Sequence, residues 1–153
     1  MPPFNFRLQP IRRLREARRD ELRGQLADAH RAAEVLADQR RQIADELADI
    51  RRLQGDAAKR RLLNVNQMME SQRYALVLEG QEAALREKAK LVESEIERRR
   101  QAVVEAEREV KALDKLEEKQ RLKHQHESQR LEAKLLDEVA VTGFRFRAAG
   151  EGN

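Results

Sequence analysis

The residues whose chemistry would be easiest to recognise are three histidines, His30, His124 and His126. A His-x-His pair can supply half of a metal site, but residues two apart on a helix point to different sides, and no third ligand is marked out. Exposed helix positions account for all three, and no metal is expected. Acids are numerous, yet Glu82–Arg86, Glu95–Arg99, Glu107–Lys111 and Glu117–Arg121 stand four apart with the acid first, the order that favours ion pairs along a helix face. Such pairs explain the carboxylates without a general acid or base, and a thin structure has no pocket to shift their pKa values. The chain has no cysteine, which removes thiol nucleophiles, thiolate zinc sites, iron–sulfur clusters and disulfides. No G-x-x-x-x-G-K-[ST] or G-x-G-x-x-G run is present to cradle a phosphate. The expectation is a protein that is not an enzyme and holds no cofactor.

The elements that would carry these side chains follow from composition. Of 153 residues, 39% are charged and only 3% aromatic, whereas a globular domain runs near ~25% charged and builds its core on aromatics. Ala, Leu, Glu, Lys and Arg dominate, the profile of a coiled coil. The only prolines are Pro2, Pro3 and Pro10, so nothing after Pro10 forbids a helix. No apolar run approaches the ~20 residues needed to cross a bilayer, and the N-terminus lacks the apolar core of a secretion signal. A soluble, cytoplasmic chain without direct membrane insertion is expected.

Apolar positions at Leu22, Leu26, Ala29, Ala33, Leu36, Ile43, Leu47 and Ile50, with Arg40 filling one slot, alternate steps of four and three. That is the heptad seam of a left-handed supercoil. Upstream, Ile11, Leu14 and Arg18 read as a stutter leading into Leu22. A second seam runs through Leu85, Ala89, Val92, Ile96, Arg99, Val103, Ala106, Val110 and Leu113. Gly55-Asp56, Asn64-Val65-Asn66 and Gly80 interrupt the pattern between them, with Asp56 a candidate N-cap. The fold class predicted is all-α, an elongated antiparallel two-helix coiled-coil hairpin forming one domain, 1–153. Helix 1 covers about 8–54, the tip about 55–84 with room for a short helix from Leu62 to Gly80, and helix 2 about 85–142 or from as early as 64. Gly143 would end the second helix, and 148–153 would be a disordered tail. The register suggested by the two seam arginines places Arg40 and Arg99 in one layer; a register a few residues away is the alternative.

Four of the five aromatics lie at the chain ends: Phe4, Phe6, Phe144 and Phe146. A hairpin brings the ends together, so these rings would gather at one pole. Residues 1–24 carry seven Arg against three acids, and residues 119–147 seven Lys or Arg against four acids, so the pole is basic. Basic charge around apolar rings reads as a protein-docking surface, or as an aromatic clasp that pins the helix ends. The candidate docking residues are Phe4, Phe6, Leu8, Ile11, Arg12, Arg13, Arg15 and Arg19. At the tip, Met68, Met69, Tyr74 and Leu78 suit either an adaptable contact or tip packing. Interleaved acids and the lack of a continuous basic stripe argue against nucleic acid.

The opening Phe4-Asn5-Phe6-Arg7-Leu8-Gln9, followed by Ile11 and an Arg-rich helix, resembles that of the flagellar export protein FliJ family. Leu113-Asp114-Lys115-Leu116-Glu117-Glu118-Lys119 is similar to that family's "ekLkek" segment, and Glu132-Ala133-Lys134-Leu135-Leu136-Asp137-Glu138-Val139-Ala140 to its "qkelDEia" ending. The phenylalanines after Gly143 and the Met-Met tip lie outside that pattern. The resemblance implies a soluble component of the flagellar type III export apparatus, similar to the central stalk of rotary ATP synthases, at the cytoplasmic face of the inner membrane. Implied partners are the hexameric flagellar export ATPase, the export gate membrane protein and export chaperones. By that analogy the basic pole enters the ATPase ring and the tip faces the gate or chaperones. The equivalent stalk of a virulence-type secretion system or a vacuolar-type ATPase, and a purely structural coiled coil, remain as alternatives.

Overall fold

A computed structural model describes residues 1–61 and 64–152. Two helices account for nearly all of them: α1, Gln9–Lys59, and α2, Val65–Gly150, with no strand among the described residues. Pro10 sits in the first turn of α1, where its missing N–H has no partner to lose. The first bond of that turn runs from the Arg12 N–H to the Leu8 carbonyl at 2.9 Å. The helices run antiparallel, the hairpin expected of two seams joined by a short break. The chain, expected as one domain, divides into two compact units: a turn unit, Arg18–Glu105, and a terminal unit, Met1–Ala17 with Ala106–Asn153.

In the turn unit the seam is the one read from the sequence. Leu22, Leu26, Ala29, Ala33, Leu36, Arg40, Ile43, Leu47 and Ile50 are all buried or half-buried, and so are Leu85, Ala89, Val92, Ile96, Arg99 and Val103 on α2. The pattern does not stop where the sequence suggested. Gln54 and Ala57 extend it on α1, and Ser71, Ala75, Leu78 and Glu82 extend it on α2, in the same steps of four and three. A helix-interior glycine costs only about 1 kcal/mol against alanine. Packing along a continuous seam outweighs that at Gly55 and Gly80, each of which stands in open space.

The turn is therefore short. The 55–84 tip with its separate short helix is replaced by a reversal between Lys59 and Val65; Leu62, where that short helix would begin, lies outside the described residues. The Arg60 N–H reaches the Asp56 carbonyl at 3.0 Å and the Arg61 N–H the Ala58 carbonyl at 3.3 Å. Arg61 takes the left-handed conformation, φ 52°, that ends many helices. The N-cap is Asn64 rather than Asp56: its Oδ1 accepts the Asn66 N–H at 3.1 Å and its carbonyl the Met68 N–H at 3.0 Å.

Shortening the turn moves the register. Arg40 donates to Glu82 at 3.1 and 3.3 Å, and Arg99 donates to the Gln25 carbonyl at 2.6 Å. The two arginines do not share a layer; each partner lies about two heptads from the position expected. Arg51–Glu79 at 3.5 Å and Tyr74 Oη–Glu46 at 2.8 Å fit the same register. Each seam arginine thus meets an acceptor across the interface instead of a like charge.

In the terminal unit, the residues read as a stutter are displaced. Ile11 and Leu14 are exposed, at 45% and 69%, while Leu8, Arg12 and Glu16 turn inward. Arg12 forms ion pairs with Glu117, with Asp114 at 3.1 Å and with Glu16 at 3.3 Å. A fully paired polar layer has replaced an apolar one, which an apolar pattern cannot reveal. Beyond Leu113 the inward positions are Glu117, His124 and Ser128. α2 does not end at Gly143, which has nothing near it; the helix runs to Gly150 through Arg and Ala, both strong helix formers. The tail expected from Ala148 is helical to Gly150 and then turns, the Glu151 N–H reaching the Arg147 carbonyl at 3.1 Å; Asn153 lies outside the described residues.

The register makes a checkable statement about charge. Hydrogen bonds from Arg40, followed by the nearby Arg86, hold the Glu82 carboxyl below its ordinary value of 4.5. Its ionised form is favoured in the folded state, so its contribution is complete above pH 4.5 and fades as pH falls through the lowered folded-state value. Double-mutant cycles by chemical unfolding should find Arg40→Gln and Glu82→Gln coupled at pH 7 and uncoupled in acid, and Arg40→Gln and Arg99→Gln additive at both. Coupling between Arg40 and Arg99 would restore the register first expected.

Candidate functional site

The terminal unit brings together only part of the docking set predicted from the sequence. Phe6 is 5% exposed and belongs to the core with Ala106 and Val110. Phe4 is half-buried, its ring 5.6 Å from that of His124 and tilted by 60°, with the Arg121 guanidinium 5.4 Å from its centroid. His124 Nε2 lies 3.1 Å from the Pro2 carbonyl. This is the clasp reading: the N-terminal segment is tied to α2 by a ring, a cation and an imidazole. Phe144 and Phe146 take no part, being 75% and 81% exposed. From Arg121 to Phe144 a straight helix advances about 35 Å, so the four rings do not gather. His124 acts here as a packing group, and among the described residues no three potential ligands could hold a metal ion.

The basic residues divide in the same way. Burial works against the charge of Arg12, but Glu117, Glu16 and Asp114 outweigh it and raise the guanidinium pKa above its ordinary value. Arg15 pairs with Glu109 at 3.0 Å. Arg19, a residue of the turn unit, pairs with Asp20 at 3.2 Å. Arg7 and Arg13 are exposed and make no ion pair among the described residues. Of the eight residues expected to dock, Ile11 and Arg13 stand outward and unengaged, Leu8 and Phe4 are half covered, and Phe6 and Arg12 hold the unit together. Arg7 and Leu14 join the outward set; sequence reasoning missed Leu14 because its period had been assigned to the seam.

The tip set in the turn unit divides too. Met68 is 45% exposed and Met69 51%; Tyr74 is 51% exposed. Tyr74 donates its hydroxyl to Glu46 at 2.8 Å, and that bond, with the nearby negative charge, raises its pKa above 10.0. Leu78, expected as a contact residue, is 3% exposed and lies in the seam. The outer side of α2 instead shows Val65, Met69 and Leu76, which share one face by helical spacing. Extending the seam back through Ala75 and Ser71 would have found them, since it assigns Leu78 inward and Leu76 outward. No described helix is long and apolar enough to cross a membrane.

Neighbouring leucines should therefore behave oppositely. Leu78→Ala empties a seam position and should cost about 2–5 kcal/mol in chemical unfolding. Leu76→Ala should stay within about 0.5 kcal/mol. Equal losses would show that Leu76 is packed.

Comparison with curated proteins and with solved structures returned no match. The family described as the flagellar FliJ protein does match, over residues 4–149, a span that takes in the aromatic clasp, both seams and the turn. With the antiparallel two-helix fold, that match establishes that the chain belongs to the FliJ family, a component of the flagellar export apparatus.

Proposed function

We propose that this chain is a central-stalk-like coiled coil that docks in the ring of the flagellar export ATPase and couples it to the export gate and chaperones during flagellum assembly. The observation that carries this reading is the family match across residues 4–149. It favours the flagellar system over the equivalent stalk of a virulence-type system or a vacuolar-type ATPase. The chain needs no catalytic group for such a role. Many of its carboxylates are engaged by arginines, as Glu82 is by Arg40 and Arg86, and Glu95 by Arg98 and Arg99.

The terminal unit would meet the ATPase through Arg7, Arg13, Ile11 and Leu14, side chains that folding leaves outward near the N-terminus. Unpaired guanidinium groups steer approach to an acidic surface; exposed aliphatic groups supply contact area once it is reached. The turn unit would offer Met68, Met69, Leu76 and Tyr74 to the gate or a chaperone. Methionines adapt to more than one partner surface because the thioether chain is flexible and polarisable. The position at the cytoplasmic face of the inner membrane would come from these partners.

Binding to purified hexameric export ATPase tests the assignment. Arg7→Glu with Arg13→Glu should slow association about tenfold and weaken its salt dependence, with the helical signal unchanged. Ile11→Ala with Leu14→Ala should act mainly on dissociation. Met69→Ala with Leu76→Ala should leave ATPase binding intact. Loss of binding in the tip variant alone would reverse the polarity, and no binding by the parent chain would remove the function proposed.

A further inference from the structure

α2 outruns everything that covers it. The N-terminal segment reaches as far as a groove that Met1 shares with Glu127, Arg130, Leu131 and Lys134, and from Gln129 to Gly152 every residue is exposed. The inward face of α2 does not end there. Continuing at helical spacing from the half-buried His124 and Ser128, it passes through Leu131, Leu135, Val139, Thr142, Phe146 and Ala149. Leu131 is 47% exposed, Leu135 60%, Val139 68% and Phe146 81%. The stripe that is an interface inside the hairpin is thus an uncovered apolar face for about 27 Å beyond it.

Charge beside the stripe is divided along its length. Glu132, Asp137 and Glu138 outnumber Lys134 in its first half, and Arg145 and Arg147 stand without an acid in its second. A parallel copy would set a net acidic half against itself and a basic half against itself. An antiparallel copy, centred between Val139 and Thr142, faces Leu135 with Phe146 of the second copy. It also sets Glu138 beside Arg145 on both sides of the two-fold axis, the flanking-charge pattern that selects partner and direction in coiled coils. We propose that the 131–149 segment of α2 is a self-association surface, occupied by the same segment of a second copy of this chain in antiparallel orientation. The inference rests on the continuity of the seam and on this charge division, and is independent of the export reading.

Sedimentation of the full chain up to about 100 μM should show a monomer–dimer equilibrium. Leu135→Glu or Phe146→Glu should abolish it while circular dichroism confirms that the hairpin is folded. Glu138→Arg and Arg145→Glu should each weaken self-association about tenfold, because each sets like charges side by side. Mixing those two variants should restore it, since the arginine introduced in one copy then meets the glutamate introduced in the other. A parent chain that stays monomeric throughout, including one whose stripe is covered only by a different protein, overturns the proposal. So does a mixture that associates no better than its components.

Discussion

The structure depends on polar residues placed inside an apolar seam. Repeats of Leu, Ala and Val alone would pack nearly as well after a slip of one heptad, because the repeat looks the same to each neighbour. Arg40 removes that degeneracy, because its partner is a side chain and not a repeating main-chain group. In the observed register Arg40 finds Glu82 and Arg99 finds the Gln25 carbonyl. A slip would take Arg40 away from Glu82, leaving its half-buried guanidinium without that partner. In the terminal unit Arg12 has the same part, with Glu117, Asp114 and Glu16 around it. Polar seam positions give up some packing energy and return a single alignment, which a surface built from outward residues requires.

This explains what was legible in the sequence. The seams from Leu22 to Ile50 and from Leu85 to Leu113 were readable because apolar side chains recur there with period 3.5. The turn and the register were not. Gly55, Asp56 and Gly80 carry strong local breaking signals, but each costs little beside a seam that continues on both sides. Gln54, Ser71 and Glu82 continue it without being apolar, so a hydrophobic pattern passes over them. The same blindness displaced the first turns of α1, where Ile11 and Leu14 look like seam residues and Arg12 does not. Phe4 and Phe6 were found as a cluster, but their partners on α2 are His124, Arg121 and core residues, not the distant Phe144 and Phe146.

Most arginines in a chain this rich in them hold neighbouring carboxylates, and a basic composition by itself identifies no partner. What folding leaves outward includes Arg7 and Arg13 with Ile11, Leu14 and the 131–149 stripe in the terminal unit, and Val65, Met68, Met69 and Leu76 in the turn unit. In the stalk role proposed for this FliJ-family chain, such residues are the ones that meet its partners.

The proposed seat of the terminal unit within the export ATPase ring can be looked for in the ring itself. Electron cryo-microscopy of the purified hexamer mixed with the full chain tests it most directly. The account predicts two-helix density on the ring axis, with Ile11, Arg13 and Leu14 facing the inner wall of the ring. An empty ring in a sample that retains bound chain, or a ring filled by the 59–76 turn, would contradict it.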